Sequence, residues 1–548
     1  MFKVTKISGS FIALILAGIL GACAPTPNDV SLTLNPGQCV TAAFPGYEAV
    51  ATTYSAAYPL NATMPANSPY CMSVTMTNNN SGDNANNVQV FQGGLQLIYT
   101  IAGASYSGYM IDFNASGIPQ STYSYAPVQQ LGNIALFDPS NCLTTIGSNV
   151  NTLDKGGDTC TFYLSMVGES FPVGTYPIQL LVNYTNGNTS YTASTSFNQR
   201  VNLYAGGDFN TPSSVGNYLA LYNGNSSNSA ALLPAVFPGQ SIKLLTKDAY
   251  GDLFAYDGNS VYVFNGGESW SNLGLPNGVT QINALSSDTL GNIFAATNAG
   301  VWTYSLANST LAWSNIAGAA ASGNFAAVQA TVATGASTNN IFATNNSYSV
   351  NPALLACTWA SGGTCAWSSV FESSSQFNSQ ALALESNTFQ YVASGSSVWQ
   401  NNNGVASVLL NESSVGTQAG PIGIDPVGLM YVSFHNTLMN LLTPAVFSNS
   451  SGSGVLTPLS SLSGQALSGA ANGVALQSIS YNGASYAGVA GYGSNTLTSS
   501  DFTGTVPLAY MLLSYSGTTP TATTNWVPIS GINGTINSVV FASMLTSY

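Results

Sequence analysis

Charge is the scarcest property of this chain. Only 5% of its 548 residues are charged, acidic residues dominate, and the formal net charge is −13. A surface this acidic repels phosphate backbones, which excludes nucleic acid as a partner. With a single histidine, His435, the sequence predicts neither a Ser-His-Asp triad nor a zinc centre, and we interpret this residue as a loop or core residue just past a strand. The sequence therefore predicts no catalytic residues, no metal site and no cofactor.

Long apolar runs are missing too, except for a short one near the N-terminus. Residues 11–20 are too few to span a bilayer as a helix, and Lys3 and Lys6 precede them. A basic start followed by an apolar run of this length is typical of a signal peptide. The residues that follow resemble the lipobox of bacterial lipoproteins: Leu20, Gly21, Ala22 and Cys23.

The resemblance to bacterial lipoproteins implies that residues 1–22 are a signal peptide and that Cys23 receives the lipid. Residues 23–29 would form a short lipidated tether. In such lipoproteins an aspartate after the cysteine causes retention in the inner membrane, so Ala24 favours the outer membrane. Several acyl chains together give stable anchoring, which makes the membrane the first expected partner. The alternative is an ordinary secretory signal in which the cysteine is incidental.

Six cysteines remain once Cys23 carries lipid, and exported chains usually oxidise such cysteines to disulfides. They fall into couples that are close in sequence, although six thiols allow many pairings. Each local disulfide would contribute about 2–4 kcal/mol. We predict the bonds Cys39–Cys71, Cys142–Cys160 and Cys357–Cys365.

Residues 30–200 show short β-rich segments between clusters of Asn, Gly, Ser and Pro. Segments 70–77, 95–100, 159–164 and 176–184 alternate apolar and polar residues and contain many β-branched and aromatic side chains. This pattern predicts strands rather than helices. The region resembles an immunoglobulin-like β-sandwich of the kind found in envelope and adhesin proteins, and the whole chain is predicted to be all-β.

A sequence repeat dominates residues 201–548. Residues 242–255 and 282–295 share one frame, in which an Asp-x-x-Gly element separates two apolar strands. Both copies continue into a third short strand and a tryptophan, Trp270 or Trp313, and weaker copies follow. A period near 40 residues with four short strands is the signature of a β-propeller blade. The frame resembles the two-component-regulator and photosystem-assembly-factor type of propeller repeat.

Several candidate functional residues are better explained by this repeat. Asp248, Asp288 and Asp425 recur with it, so we interpret them as residues that cap the turn, where the glycine adopts a positive φ. The repeated tryptophans and tyrosines are interpreted as core between blades. The oxygen-rich segment 78–84 lacks the spacing of an EF-hand calcium loop, so we interpret it as a polar hairpin turn.

The two ends of the repeat region predict how the ring closes. Residues 202–208 match the second strand of a blade with no first strand before them, and residues 536–542 match a first strand with nothing after it. Pairing of these segments would complete one blade. Frames near residues 204, 254, 294, 342, 391, 431 and 486 predict about seven blades.

These features predict a non-enzymatic, protein-binding or assembly lipoprotein, for instance an accessory subunit of an outer-membrane or secretion complex. Loops rich in Tyr, Asn and Ser suit adaptable contacts of low charge. The expected partner is therefore an envelope protein or a glycan. Two alternatives remain open: a surface adhesin that binds protein or glycan, and a propeller that hydrolyses or cleaves glycans.

Overall fold

The computed structural model is an all-β protein, as predicted. No helix long and apolar enough to cross a membrane occurs among the described residues. The structure describes residues 29–38, 69, 71–101, 104–108, 111–113, 134–137, 142, 152–166, 173–211, 214–215, 218–233, 236–248, 251–264, 269–288, 291–305, 312–316, 323–332, 338–345, 354–360, 363–371, 379–384, 387, 389–411, 417–424, 429–436, 441–449, 456–458, 471–481, 485–499, 502–516, 519–522 and 527–547.

The N-terminal part of the described chain consists of strands joined without helices. They are β1 (Val30–Pro36), β2 (Cys71–Asn78), β3 (Ala85–Ile101), β4 (Ala104–Gly108), β5 (Ile111–Phe113), β6 (Ile134–Phe137), β7 (Thr152–Leu153), β8 (Thr159–Met166), β9 (Gly174–Asn186) and β10 (Thr189–Thr211).

These strands form two sheets around one core. The first sheet has the order β1-β2-β8-β6-β5, and the second contains β3, β4, β7, β9 and β10. Every second residue of β9 is buried because successive side chains of a strand point to opposite faces. Those buried side chains share a core with residues of β1, β2 and β8, so the two sheets pack face to face.

Two disulfides join described residues. Cys142 is bonded to Cys160 with their Cα atoms 5.5 Å apart, and Cys357 is bonded to Cys365 with their Cα atoms 5.6 Å apart. Cys71 is also disulfide-bonded. Its predicted partner, Cys39, lies outside the described residues.

Short strands then lead into a series of small antiparallel sheets. The connecting strands are β11 (Ser214–Val215), β12 (Leu219–Tyr222) and β13 (Ala231–Leu232). Sheet 1 contains β14 (Leu244–Lys247), β15 (Leu253–Tyr256), β16 (Val261–Phe264) and β17 (Ser271–Gly274). Sheet 2 contains β18 (Ile282–Ser287), β19 (Asn292–Thr297), β20 (Gly300–Ser305) and β21 (Ser314–Asn315). Sheet 3 contains β22 (Phe325–Val332), β23 (Thr338–Asn345), β24 (Leu354–Ala360) and β25 (Ser368–Phe371).

Three further sheets and a long last strand follow. Sheet 4 contains β26 (Ser379–Leu384), β27 (Phe389–Ser394), β28 (Ser397–Asn402) and β29 (Val405–Asn411). Sheet 5 contains β30 (Thr417–Ile424), β31 (Leu429–Asn436), β32 (Leu441–Asn449) and β33 (Leu456–Pro458). Sheet 6 contains β34 (Ala471–Tyr481), β35 (Ser485–Ser499), β36 (Phe502–Ser516), β37 (Thr519–Ala522) and β38 (Val527–Ile529). The last strand is β39 (Gly534–Ser547).

The first strands of these sheets form a closed circle. Each of β14, β18, β22, β26 and β30 contacts the first strand of the next sheet, and β39 contacts both β34 and β14. The strand β39 begins a closing sheet with the order β39-β10-β12-β13. Seven sheets arranged radially around their first strands are a β-propeller, which confirms the predicted architecture of this region.

The repeat frame explains the local structure of sheets 1 and 2. Their second strands, β15 and β19, are buried along their whole length because neighbouring sheets cover both faces. A continuous apolar run is what such a strand requires. The turn before each strand contains Gly251 or Gly291, whose φ angles are +85° and +81°, a conformation that glycine adopts without strain.

The C-terminal strand closes the ring beside the segment near Tyr204. In the antiparallel ladder between β10 and β39, Leu203 lies opposite Phe541 and Tyr204 lies opposite Val540. The two backbones approach so closely at Gly207 that a Cβ atom there would lie 2.0 Å from the carbonyl oxygen of Thr535. The first strand of the closing sheet therefore comes from the end of the chain.

The sandwich and the propeller share strands rather than a linker. Residues 189–201 of β10 pair with β9 of the sandwich, and residues 203–206 pair with β12 of the closing sheet. Along the opposite edge of β10, β39 pairs with residues 197–209 and so extends across both regions. The predicted division between residues 200 and 201 falls inside this continuous strand, close to where its pairing passes from β9 to β12.

Candidate functional site

A cleft of about 400 Å³ lies between sheets 3 and 4 of the propeller. Strands β23, β24 and β25 of sheet 3 form one wall. Two turns of sheet 4, which precede β27 and β29, contribute to the other. The cleft is lined by Asn340, Phe342, Ala356, Cys357, Thr358, Ala366, Ser368, Val370, Asn387, Asn401, Asn403 and Gly404.

The alternation of strand residues decides which side chains of β25 reach the cleft. Ser368 and Val370 line it, whereas Ser369 between them does not. This is expected because neighbouring residues of a strand point to opposite faces. Ser368 also donates a hydrogen bond to the carbonyl oxygen of Ala356, at 3.3 Å. Ser368 and Ser369 are both exposed, so they form a natural pair for comparison.

A tight turn places a side-chain amide at the rim of the cleft. Asn403 and Gly404 connect β28 to β29, and Asn402 is paired opposite Val405 across this two-residue loop. Their φ angles are +50° and +88°. Two successive positive φ angles are typical of a type I′ hairpin turn, for which Asn-Gly is a preferred sequence. The turn fixes the backbone that carries the exposed Asn403 side chain.

Two asparagines of the cleft are each held through their carbonyl oxygen. The hydroxyl of Thr358 donates to Oδ1 of Asn340 at 2.9 Å. The hydroxyl of Thr331 donates to Oδ1 of Asn387, which links sheet 3 to the turn of sheet 4. In both cases the hydrogen bond engages the oxygen of the amide. The Nδ2 group at the other end keeps its two N–H donors.

A third asparagine lies deeper in the wall. Asn401 is 2% exposed, and its Nδ2 donates to the side-chain oxygen of the buried Gln390. Its Oδ1 accepts no hydrogen bond from the part of the chain that the structure describes. An unpaired buried polar atom costs about 1–3 kcal/mol, so this amide retains capacity for a further partner.

The connection between β24 and β25 is reinforced beside the cleft. The Cys357–Cys365 disulfide ties this connection back to β24, since Cys357 lies within that strand. The indole nitrogen of Trp359 donates to the carbonyl oxygen of Gly363 at 2.8 Å, and that of Trp367 donates to the carbonyl oxygen of Ile316 at 3.2 Å. The disulfide proposed from sequence therefore supports one wall of the cleft.

The chemistry of the cleft is polar but uncharged. Its described lining contains amides and hydroxyls, with Phe342, Ala356 and Val370 as apolar surface, and contains no carboxylate, imidazole or amine. Such a lining donates and accepts hydrogen bonds. The lining residues offer binding groups rather than a general acid or base.

The carboxyls predicted as turn caps have that role. Oδ1 of Asp248 accepts a hydrogen bond from the backbone N–H of Asp252 at 3.0 Å. Both side chains are buried. Burial raises the pKa of the Asp252 carboxyl well above its usual range, and the neighbouring carboxyl of Asp248 raises it further. Folding therefore shifts the Asp252 carboxyl toward its protonated form.

The same turn in sheet 2 has an amide where sheet 1 has the second carboxyl. Oδ1 of Asp288 accepts from the backbone N–H of Asn292 at 2.8 Å, and Oδ2 accepts from Nδ2 of Asn292 at 2.6 Å. Oδ2 also accepts from Nδ2 of Asn339 at 2.5 Å. Because Asn339 lies on β23, Asp288 links sheet 2 to sheet 3. These buried carboxyls hold turns and sheets together.

Three further residues singled out in the sequence are Cys23, Asp425 and His435. Cys23 and Asp425 lie outside the described residues. His435 lies within β31, opposite Gln418 and Leu442, so its placement just past a strand is wrong. The strand runs farther than its apolar residues indicate, because backbone pairing continues through His435.

The asparagine-rich segment 78–84 folds as a polar turn, but the predicted hairpin is wrong, because the segment joins β2 of the first sheet to β3 of the second. Oδ1 of Asn80 accepts from the backbone N–H groups of Gly82 and Asp83, at 2.7 and 3.1 Å. Nδ2 of Asn78 donates to the carbonyl oxygen of Leu153 at 3.0 Å. These side chains therefore stabilise backbone of the same loop and of a neighbouring turn.

The repeated tryptophans pack against aromatic neighbours. The ring of Trp270 lies 5.3 Å from that of Phe264, and the ring of Trp313 lies 5.3 Å from that of Tyr304. Both therefore contribute to the cores of the blades.

Comparison with known proteins adds distant structural neighbours only. No family model matches the chain, and no curated protein sequence matches it. A protein from Lactobacillus plantarum has a TM-score of 0.41 at 12% identity, over 62% of this chain and 98% of that chain. YCF48 from Cyanidioschyzon merolae has a TM-score of 0.31 at 17% identity, over 47% and 88%. An ancestral GH74 enzyme has a TM-score of 0.37 at 14% identity, over 54% and 39%. Likenesses this remote carry no argument about function.

Sequence reasoning missed the cleft, although one of its parts has a sequence signal. Asn403-Gly404 between two strand-like segments indicates a hairpin turn. Nothing in the sequence indicates that this turn lies beside Asn340 and Ser368 of another sheet. Asparagine is also so frequent in the chain that one more amide is no signal by itself.

Proposed function

We propose that this protein is an envelope-anchored, non-enzymatic binding protein whose propeller recognises an uncharged polar partner. The observation that carries the proposal is the cleft between sheets 3 and 4, with its amide and hydroxyl lining. A pocket of this size falls within the range of small-molecule sites, about 300–1,000 Å³. An envelope protein and a glycan both present uncharged polar groups of the required kind.

The anchoring part of the proposal rests on sequence. Cys23 carries the lipid, residues 23–29 form the tether, and the outer membrane is the location. The N-terminal sandwich is proposed to be an immunoglobulin-like module that holds the propeller away from the membrane. Its two sheets and shared core support this assignment. An accessory role in an outer-membrane or secretion assembly is compatible with such an arrangement.

A glycan-cleaving enzyme is the second class of function considered from sequence. Glycosidases generally place two carboxyls on either side of the scissile bond, at least about 5 Å apart. The carboxyl pair formed by Asp248 and Asp252 is buried inside a turn and does not line the cleft. This arrangement supports binding over hydrolysis.

Anchoring is tested with the full chain expressed in a Gram-negative host. We expect incorporation of labelled palmitate and recovery in the outer-membrane fraction. The variant Cys23→Ser should lose the label and become soluble in the periplasm. An unlabelled wild-type chain, or a variant that fractionates as the wild type does, would contradict lipidation at this residue.

Binding is tested by chemical cross-linking in intact envelopes, followed by purification of the full chain in detergent. We expect a reproducible envelope component to be captured at a defined stoichiometry. The same preparation should generate no new reducing ends from envelope glycans. Turnover of a glycan, or the absence of any captured component, would overturn the proposed function.

A further inference from the structure

We propose that the cleft between sheets 3 and 4 is a binding site for a neutral saccharide. This inference rests on the proposed binding function and specifies the class of ligand for the same site. It follows from four properties of the cleft: its charge, its hydrogen-bonding groups, its apolar surface and the backbone of its walls.

Charge separates neutral ligands from ionic ones. The described lining offers no cation to pair with a phosphate, sulfate or carboxylate, and no anion to pair with an amine. The protein as a whole carries a formal charge of −13, which repels anions from its surface. An anionic glycan would lose water at the cleft without gaining an ion pair.

The hydrogen-bonding groups of the cleft match sugar hydroxyls. Each hydroxyl both donates and accepts, and so does each side-chain amide. Asn340 and Asn387 are fixed through their oxygens, so their Nδ2 groups remain to meet acceptors. Asn403 adds an exposed amide at the rim. The amides of Asn340 and Asn387, each held by a hydrogen bond, lose less side-chain freedom on binding than unattached ones would.

Apolar surface lies beside these polar groups. Phe342, Ala356 and Val370 contribute to the lining. A pyranose ring presents C–H groups on its faces and hydroxyls at its edges. A cleft that mixes apolar surface with amides therefore accommodates both parts of a sugar, and about 400 Å³ is enough for a small oligosaccharide unit.

The backbone of the walls argues against an extended peptide. Peptides that add a strand to a sheet need an edge with unpaired N–H and C=O groups. The strands β23 and β24 are interior strands of sheet 3, paired on both sides within the order β22-β23-β24-β25. Recognition along β23 and β24 therefore falls to side chains, which suits a ligand without a peptide backbone, whereas β25 is the edge strand of the sheet and is where the peptide probe tests for backbone pairing.

The test uses the full chain in a polyoxyethylene detergent, because detergents with sugar head groups would compete for the cleft. The probes are neutral di- and trisaccharides of hexoses and N-acetylhexosamines, their sialylated and sulfated counterparts, and an uncharged extended peptide. Saturation-transfer NMR detects binding, and calorimetry measures it. We expect at least one neutral saccharide to bind and its anionic counterpart to bind about tenfold more weakly.

Two pairs of matched variants assign the site. Ser368→Trp places an indole in the cleft and should weaken saccharide binding by about tenfold or more. Ser369→Trp, on the opposite face of the same strand, should leave binding within about twofold of wild type. Asn403→Gly keeps the positive φ, removes the amide and should weaken binding severalfold. Asn402→Ala is its control, because Asn402 is exposed and outside the lining. Melting temperatures verify that all variants fold.

The outcomes separate this inference from the broader proposal. Saccharide binding that survives Ser368→Trp, or a cleft that takes only the peptide, would overturn the inference. If no saccharide binds while the wild-type chain still captures an envelope component, the saccharide site is wrong and the binding function stands. If nothing is captured and a glycan is hydrolysed, both fail.

Discussion

The turns between the first and second strands of sheets 1 and 2 share the Asp-x-x-Gly frame but carry different side chains at one buried position. In sheet 1 the residue before the second strand is Asp252, which meets the carboxyl of Asp248. In sheet 2 the matching residue is Asn292, the first residue of β19, which donates to Asp288 at 2.6 Å. A protonated carboxyl and an amide have nearly the same shape, so the frame accepts either. Only the carboxyl makes the stability of the turn depend on pH.

The corresponding position in the next two sheets is polar as well. Asn340 of sheet 3 and Gln390 of sheet 4 directly precede the apolar segments 341–344 and 391–394, as Asp252 and Asn292 precede theirs. Asn340 lines the cleft, and Gln390 accepts a hydrogen bond from Asn401 in its wall. In sheets 1 and 2 the side chain at this position takes part in closing the turn. In sheets 3 and 4 it lies at the cleft.

The largest loss of stability is expected when Asp288, the hydrogen-bond acceptor in the turn of sheet 2, is removed. Asp288→Ala leaves three buried N–H donors without their acceptor, two from Asn292 and one from Asn339. We expect a loss of about 4 kcal/mol in the free energy of unfolding. Chemical denaturation followed by tryptophan fluorescence measures it. A loss below about 1 kcal/mol would show that the link between sheets 2 and 3 contributes little.

Copying the carboxyl pair of sheet 1 into sheet 2 should have the next largest effect. Asn292→Asp replaces a donor with a second buried carboxyl beside Asp288. We expect destabilisation by about 3 kcal/mol at neutral pH, because the new group must be protonated or repelled. The loss should shrink as the pH falls toward 4. A loss independent of pH would mean that packing, rather than charge, distinguishes the two turns.

The reverse change in sheet 1 should stabilise the protein. Asp252→Asn supplies an amide donor to Asp248 that needs no proton from solvent. We expect a gain of about 2 kcal/mol in the free energy of unfolding at neutral pH. Val261→Ala, in the neighbouring core, serves as a control that should destabilise at every pH. A neutral or harmful effect of Asp252→Asn would contradict the protonated pair.

The pH dependence of that gain has a defined direction. The pKa of Asp252 is raised on folding, so the folded state holds the proton more tightly than the unfolded state does. Its contribution is complete below the unfolded pKa near 3.9 and is lost as the pH rises through the folded pKa. The gap between wild type and Asp252→Asn should therefore widen from pH 4 upward. Denaturation curves across this range measure it.

The smallest effect is expected for Asp248→Ala. This change removes the acceptor for the Asp252 backbone N–H but also removes the carboxyl that opposes ionisation of Asp252. The two consequences partly cancel, so we expect a loss of about 1 kcal/mol. Comparison with Asp288→Ala under the same conditions is the check. Equal losses at the two positions would mean that the turns do not differ as described.

The propeller ring could be predicted because the sequence pattern that specifies each blade is local and recurs along the chain. The frame around Asp288 and Gly291 specifies a strand, a turn and another strand, and incomplete frames at the two ends indicate which segments pair. The register of Tyr204 opposite Val540 follows from that pattern. The repeat also explains the buried aspartates, although it does not reveal that the pKa of Asp252 is raised, which depends on burial.

The junction and the cleft could not be predicted for the opposite reason. A strand that continues from one region into another has no change in composition of its own, so nothing in the sequence shows that β10 runs through residues 200 and 201 without a break. The cleft requires Asn340, Ser368 and Asn403 to meet across two sheets. Such proximity depends on how adjacent blades pack, and no motif in either sheet specifies it.

The strand β10 belongs to both regions and therefore determines how mechanical load passes between them. Tension applied between the sandwich and the propeller would pass along this strand. Its ladder with β39 would then be sheared, with many hydrogen bonds resisting together, instead of being opened one bond at a time.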